Sequence, residues 1–155
     1  WSRGLGDVYK RQFESRGKGI PSQKSWSISG KALVTDVPIT YLGYVNRDSG
    51  VIEEPGHPLD GETISDKILI YPKGSGSTVA PYVLMGLIYT DRGPKGIVNR
   101  DVCPLTLPAV SLLEVPYAHA FDIDTTMEIN TGDTVKMSQK DGEVIISVIT
   151  RATEV

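Results

Sequence analysis

Apolar and polar residues alternate near both ends of the chain and fall into helical rows at its centre. From Trp26 to Thr35 the residues Trp26, Ile28, Ala32 and Val34 share one side, which predicts a half-buried strand with Gly30 at a bulge or bend. Asp66-Lys-Ile-Leu-Ile-Tyr71 is a short, nearly continuous apolar run, as expected of a strand covered on both faces. A tight glycine loop follows from Lys73 to Thr78. Beyond it, Val79, Val83 and Leu87 make one i, i+4 row, and Ala80, Leu84 and Ile88 make the row beside it. Two adjacent rows predict a helix with a broad buried face, capped at Thr78. Pro81 falls in its first turn, where the missing N–H breaks no internal bond, and Asp91-Arg-Gly93-Pro94 stops it.

Ile97-Val-Asn99 and Val115 to Ala120 predict two more short strands. Val102 to Leu113 is apolar but carries Pro104 and Pro108, so a short helix is expected from about Pro108. The C-terminal pattern predicts a hairpin, with strands from Thr134 to Ser138 and Val144 to Ile149 joined through Lys140-Asp-Gly142. Elsewhere the pattern is weak. Residues from Phe13 to Lys24 read as a flexible lead-in, 36–45 as a surface loop limited by Pro38, and 46–62 as irregular chain rich in turn residues. No repeat of fixed period is present. The sum is an α/β or mixed β/β/α arrangement, with 1–25 as a disordered or artefactual segment, one domain over 26–150 and a tail over 151–155.

Composition narrows the function classes. The 155 residues are 39% hydrophobic and 23% charged, which suits one globular domain with its own core. Sixteen Lys and Arg against nineteen Asp and Glu leave a formal charge of −3, which argues against a nucleic-acid partner. No apolar run approaches the ~20 residues of a membrane span, and no signal-peptide pattern opens the chain. With a single cysteine, Cys103, a disulfide framework is excluded and a reducing, cytoplasmic setting is expected. The chain starts with Trp1 rather than Met, as a fragment or a processed or mis-assembled reading frame would. Its first twelve residues, WSRGLGDVYKRQ, resemble a translated adapter and are set aside from functional reasoning.

The loop Lys73-Gly-Ser-Gly-Ser-Thr78 is the principal candidate for chemistry. Unpaired amides at a helix start, together with the helix dipole, favour an anion there. The loop is neither a Walker phosphate loop nor a dinucleotide fingerprint, because the required Lys and third glycine are absent. It is a structural glycine turn or an anion or substrate loop, and Ser77 is a helix-capping residue or a reactive hydroxyl. His57, between Gly56 and Pro58, reads as an exposed turn residue, and His119 as a packing residue on a strand. Two distant histidines and one cysteine make no metal site. Ser77, His119 and Asp122 could be combined into a triad, but spacing does not require it. Asp48, Glu53 and Glu54 lie near turns, where carboxylates are usually solvated. Tyr82, Met85 and Tyr89 read as core or flank residues of the helix, and Cys103 as buried and inert.

Several linked motifs resemble a known family. Gly43-Tyr-Val-Asn-Arg-Asp-Ser-Gly-Val-Ile52, Gly56-His-Pro-Leu-Asp-Gly61, Lys67 to Val79, Ile97-Val-Asn99 and Val115-Pro116 resemble the small subunit of aconitase X enzymes, over about Ser27 to Val148. The resemblance implies the swivelling β/β/α domain of the aconitase C-terminal-domain type. It also implies a hydro-lyase small subunit, active only with a large subunit that carries a four-iron four-sulfur cluster through its own cysteines. The family has phosphomevalonate dehydratase and hydroxyproline dehydratase branches. In the second, Cys typically follows the loop serine; here Thr78 does, which favours phosphomevalonate as the hydroxy-acid substrate.

By the same resemblance, Ser77 is the expected proton acceptor. Lys73, Gly74, Ser75, Gly76 and Thr78 form the expected substrate-binding loop, and no metal is expected on this chain. Serine serves as a base only if its alkoxide is stabilised by preorganised donors, and amides at a helix start are of that kind. This sequence has Ser75 where relatives carry Lys or Arg, with Lys73 two positions further back, and Gly43-Tyr44-Val45-Asn46 where Gly-Gly-Val-Asp is common. The alternative from another class is a binding or regulatory domain that keeps the swivelling fold without catalysis. A subunit that closes over a partner should also expose apolar surface beside the loop, so Tyr41, Leu42 and Tyr44 are expected to be partly exposed.

Overall fold

The computed structural model describes residues 14–152. Its seven strands are β1 (Glu14–Gly19), β2 (Trp26–Val34), β3 (Ile68–Ile70), β4 (Gly96–Val98), β5 (Tyr117–His119), β6 (Thr134–Lys140) and β7 (Glu143–Thr150). They close into a barrel in the order β1-β5-β4-β3-β2-β6-β7. Strands β2 to β5 run parallel, while β1, β6 and β7 join them antiparallel. Three helices, α1 (Ala80–Tyr89), α2 (Leu107–Leu112) and α3 (Thr125–Glu128), complete the fold.

The parallel strands are covered on both faces because successive side chains point opposite ways. Ile68, Ile70, Val98 and Ala118 join Val135, Met137, Val144 and Ile146 in one apolar cluster drawn from around the barrel. Leu69, Ile97 and Tyr117 point the other way, into a second cluster with Val83, Leu84 and Leu87 of α1 and Val110 of α2. This is why residues 66–71 read as a continuous apolar run rather than an alternating one. The barrel side is tightly filled: a Cβ added at Gly96 would lie 2.6 Å from Ile28 Cδ1. The layers form a mixed α/β domain with a closed sheet.

The expected flexible lead-in is corrected over its described part. Residues 14–19 form β1, paired with β5 and β7. Its inward positions are Ser15, Gly17 and Gly19, so the alternation is one of size and leaves no hydropathy signal. A Cβ at Gly17 would meet the His119 carbonyl at 2.7 Å and the Phe121 ring at 2.8 Å, so a larger inward residue does not fit. The lead-in before residue 14 lies outside the described residues. Arg151 and Ala152 are tied down rather than loose, by an Arg151–Asp133 ion pair at 2.9 Å and an Ala152 N–H bond to Asp133 at 2.8 Å.

Gly30 is not a bulge: it stays in register opposite Val135, and the irregularity lies between β6 and β7, at Thr134/Val135. The hairpin turn is Asp141-Gly142, with both φ positive (55° and 80°), the two-residue geometry whose twist matches the flanking strands. Helix α1 starts one residue later than expected, with Val79 as its cap and no side-chain capping bond.

Candidate active site

The loops that follow β2, β3 and β4 meet at the carboxyl ends of the parallel strands, the end at which open α/β sheets commonly place ligands. They enclose an open cavity of about 530 Å³ whose lining includes Asp36, Lys73, Gly74, Arg100, Asp101 and Cys103. The glycine loop forms one wall. Ile39 takes it from one side, donating its N–H to Lys73 O (3.2 Å) and accepting the Ser75 N–H (2.9 Å). From the other side Cys103 Sγ accepts the Gly74 N–H at 3.2 Å. Gly74 is buried, and a Cβ there would lie 3.2 Å from Leu105 Cβ. Gly76 turns the chain at φ +97°, a conformation that favours glycine.

Ser77 stands exposed at the turn into α1. Its Oγ accepts the Val79 N–H at 3.2 Å, and its carbonyl accepts the Ala80 N–H at 3.0 Å. The hydroxyl thus organises the approach to the helix without being the N-cap, and as an acceptor it leaves its own proton free to point outward. Among the described residues no acceptor takes the N–H groups of Gly76, Ser77 or Thr78. The Val79 N–H on Oγ and the helix start favour negative charge at this oxygen, while the three free amides remain open to an anion in the loop. Thr78 is exposed and Ser75 half-buried. Lys73 is exposed, and no carboxylate among the described residues pairs with it.

Below the loop lies a buried polar layer that hydropathy did not reveal. Tyr41 and Tyr71 meet edge to face, their centroids 6.2 Å apart, and share a hydrogen bond between hydroxyls. Tyr71 continues to Thr106 Oγ1 at 3.1 Å. Burial pushes the Tyr41 phenol well up and raises that of Tyr71 to about 12. Both phenols therefore act as neutral hydrogen-bonding groups. The expectation for 41–44 divides accordingly. Tyr41 is fully buried and Leu42 half-buried, while Tyr44 keeps 43% of its surface exposed. Tyr41 turns inward because its hydroxyl finds Tyr71.

The remaining candidates separate. His57 is corrected: it is buried, with Nε2 on the Pro38 carbonyl at 3.1 Å and Nδ1 accepting the Leu59 N–H at 3.0 Å. Asn46 is a turn residue whose Oδ1 accepts the N–H groups of Asp48 and Ser49, and Glu53 accepts from its Nδ2 at 3.3 Å. The triad does not assemble, since Asp122 Oδ1 is taken by Ser15 Oγ and His119 stacks against Tyr117 on β5. Burial and then the nearby Lys18 charge lower the His119 pKa. Tyr82 and Tyr89 stand exposed on α1, with Met85 half-buried between them. Cys103 is buried, yet it touches the candidate loop. Among the described residues no three His, Cys, Asp or Glu side chains gather as metal ligands, and no helix is long and apolar enough to cross a membrane.

Comparison with known proteins places the chain among relatives matched over most of its length. The family described as the aconitase X swivel domain matches residues 17–146. The phosphomevalonate dehydratase small subunit of Pyrococcus horikoshii is 34% identical over 131 residues, covering 84% of this chain and 93% of that protein. The protein of the same name from Methanococcoides burtonii is 34% identical over 115 residues, covering 74% of this chain and 84% of that one. Among solved structures, Thermococcus kodakaraensis aconitase X in its holo-form superposes with a TM-score of 0.75 at 25% identity, covering 86% of this chain and 98% of that one. A barrel with the glycine loop at the carboxyl ends of its parallel strands, and relatives matched over most of both lengths, make this chain a member of the aconitase X swivel-domain family.

Proposed function

We propose that the chain is the small subunit of a hydro-lyase that dehydrates (R)-5-phosphomevalonate to anhydromevalonate phosphate, with Ser77 accepting the proton. The observation that carries this reading is Ser77 itself: an exposed hydroxyl at a helix start, holding one N–H on Oγ beside three amides without acceptors, in a chain whose relatives are named for that reaction. In the elimination, Ser77 acts as its alkoxide, having first given up its own proton to solvent; the C–H electron pair becomes the new C=C bond, the proton passes to Ser77 Oγ, and the hydroxyl leaves with the C–O electron pair and takes a proton from solvent to become water. The alkoxide that Oγ must be before it accepts the proton is stabilised by a donor already in place, the Val79 N–H at the helix start. Lys73, Gly74, Ser75, Gly76 and Thr78 are the proposed substrate contacts. The exposed Lys73 ammonium, at the cavity wall and without a carboxylate partner among the described residues, is a charge available to an anionic substrate.

A four-iron four-sulfur cluster requires several thiolates. Cys103 is the only cysteine of the chain, and its buried Sγ is engaged by Gly74. The residues of this chain do not fit such a cluster, which we place on a large partner subunit. An apolar groove of about 320 Å³ beside the loop, lined in part by Leu42, Val79, Tyr82, Val83 and Leu87, is the proposed contact with that subunit.

The test is co-expression with a large subunit of the family and comparison of wild type with Ser77→Ala. A kcat reduced by roughly 100-fold or more, as for loss of a positioned base, is the expected result. Dehydration at the wild-type rate in the variant would remove Ser77 from the mechanism.

A further inference from the structure

We infer that Tyr117, acting with Asn99 and Cys103, is a positioning residue that holds the Ser77 loop in register, an inference that rests on the proposed role of Ser77. Tyr117 is wholly buried on β5, and its hydroxyl makes two hydrogen bonds in opposite senses. It donates to Asn99 Oδ1 at 2.8 Å and accepts the Cys103 N–H at 3.1 Å.

Each partner hands the constraint to a different side of Lys73. Asn99, 1% exposed and just beyond β4, uses Nδ2 to hold the Tyr71 carbonyl at 3.1 Å, upstream of the loop. Cys103 uses Sγ to hold the Gly74 N–H at 3.2 Å, within the loop. One phenol oxygen therefore fixes the strand end that delivers the loop and the residue at which it begins to turn. The other main-chain bonds to this stretch come from Ile39, from the Tyr71 N–H to the Val98 carbonyl at 3.1 Å and from the Arg100 N–H to the Pro72 carbonyl at 3.1 Å.

The direction of the bonds is forced. A backbone N–H can only donate, so Cys103 occupies a lone pair on the phenol oxygen, and the phenol proton is left for Asn99 Oδ1. The Asn99 amide then presents its NH₂ to Tyr71. Burial raises the Tyr117 pKa, which keeps that proton in place. Packing alone does not call for this network. Phenylalanine would fill the same apolar cluster without burying polar groups that must be satisfied. What the hydroxyl adds is geometry, and displacing a reacting group by about 1 Å can cost ~100-fold in rate. The Ile97-Val-Asn99 motif thus acquires a role through Asn99.

The experiment uses the enzyme assembled with its large subunit and compares Tyr117→Phe, Cys103→Ala and Cys103→Ser, each in wild-type and Ser77→Ala backgrounds. Val135→Ala, in the barrel cluster far from the loop, controls for lost stability. Tyr117→Phe and Cys103→Ala should each lower kcat by roughly 10-fold or more while KM changes little. Cys103→Ser should recover part of the loss, because its hydroxyl again offers Gly74 an acceptor. Neither change should lower the residual rate of Ser77→Ala, since a displaced loop matters only if Ser77 acts from it. Val135→Ala should lower the melting temperature with kcat retained. If Ser77→Ala is impaired while Tyr117→Phe and Cys103→Ala keep wild-type kcat, the positioning role is overturned and the base role stands. Losses that multiply fully with Ser77→Ala also overturn it. A fully active Ser77→Ala overturns the base reading and this inference together. Should Tyr117→Phe fail to fold, the contrast between Cys103→Ala and Cys103→Ser decides, and equal activity of the two overturns the inference.

Discussion

His57 Nε2 donates to the Pro38 carbonyl across 3.1 Å, joining two stretches of the long connection between β2 and β3 through one imidazole. Its other nitrogen accepts the Leu59 N–H at 3.0 Å, so the neutral ring with its proton on Nε2 satisfies both contacts. The side chain is only 7% exposed. Pro38 adjoins Ile39, whose backbone brackets Lys73 and Ser75, so the histidine acts on the glycine loop at one remove.

Replacing His57 with Ala should therefore destabilise the fold by about 1–3 kcal/mol, the usual cost of leaving buried partners unsatisfied. Denaturant unfolding of the variant measures it. A midpoint equal to that of the wild type would show that the contact contributes nothing.

The buried tyrosines set an alkaline limit on stability. Burial pushes the Tyr71 phenol up from an ordinary value of 10.0 to about 12 in the folded state and raises that of Tyr41 as well. The folded state then holds protons that the unfolded state has released, so this contribution is fully present below pH ~10 and is lost as pH rises towards 12. Unfolding free energy should fall through that window, with phenolate absorbance of the buried rings appearing together with loss of structure. Ionisation near pH 10 in a chain that stays folded would contradict the burial argument.

Tyr82 tests the proposed subunit contact. It is 70% exposed at the rim of the groove on α1, so Tyr82→Glu should change the stability of the isolated chain by less than about 0.5 kcal/mol. Affinity for the large subunit should fall by about 10-fold or more, because a charge replaces an aromatic anchor. Calorimetric titration of the two subunits reads the affinity and denaturant unfolding of the isolated chain reads its stability; unaltered affinity would place the contact elsewhere.

Much of the architecture was legible wherever hydropathy carries the information. The C-terminal hairpin, the two-sided β3 and the broad face of α1 each have apolar residues at the spacing their elements require. The glycine loop between β3 and α1 was equally visible, because a turn at φ +97° favours Gly76. Strand β1 was not, since its inward Gly17 and Gly19 are set by lack of space, beside His119 and Phe121 for the one and Gln139 for the other, and its inward Ser15 by a bond to Asp122. His57 reads as an exposed turn residue and Tyr41 as partly exposed apolar surface for a subunit contact, and each is instead buried by a hydrogen-bond partner 19 or 30 residues away.

By itself, then, the sequence determined the order of the hydropathy-marked elements from β2 to β7, the strand-loop-helix that presents Ser77 and the family to which the motifs belong, because those follow from local periodicity and contiguous residues. Tertiary structure alone decided which polar groups face inward. The bonds of Tyr117 to Asn99 and Cys103, like that of Cys103 to Gly74, join residues 14 to 29 positions apart. A buried hydrogen bond depends on where two chain segments meet in space, and no spacing along the chain encodes that meeting.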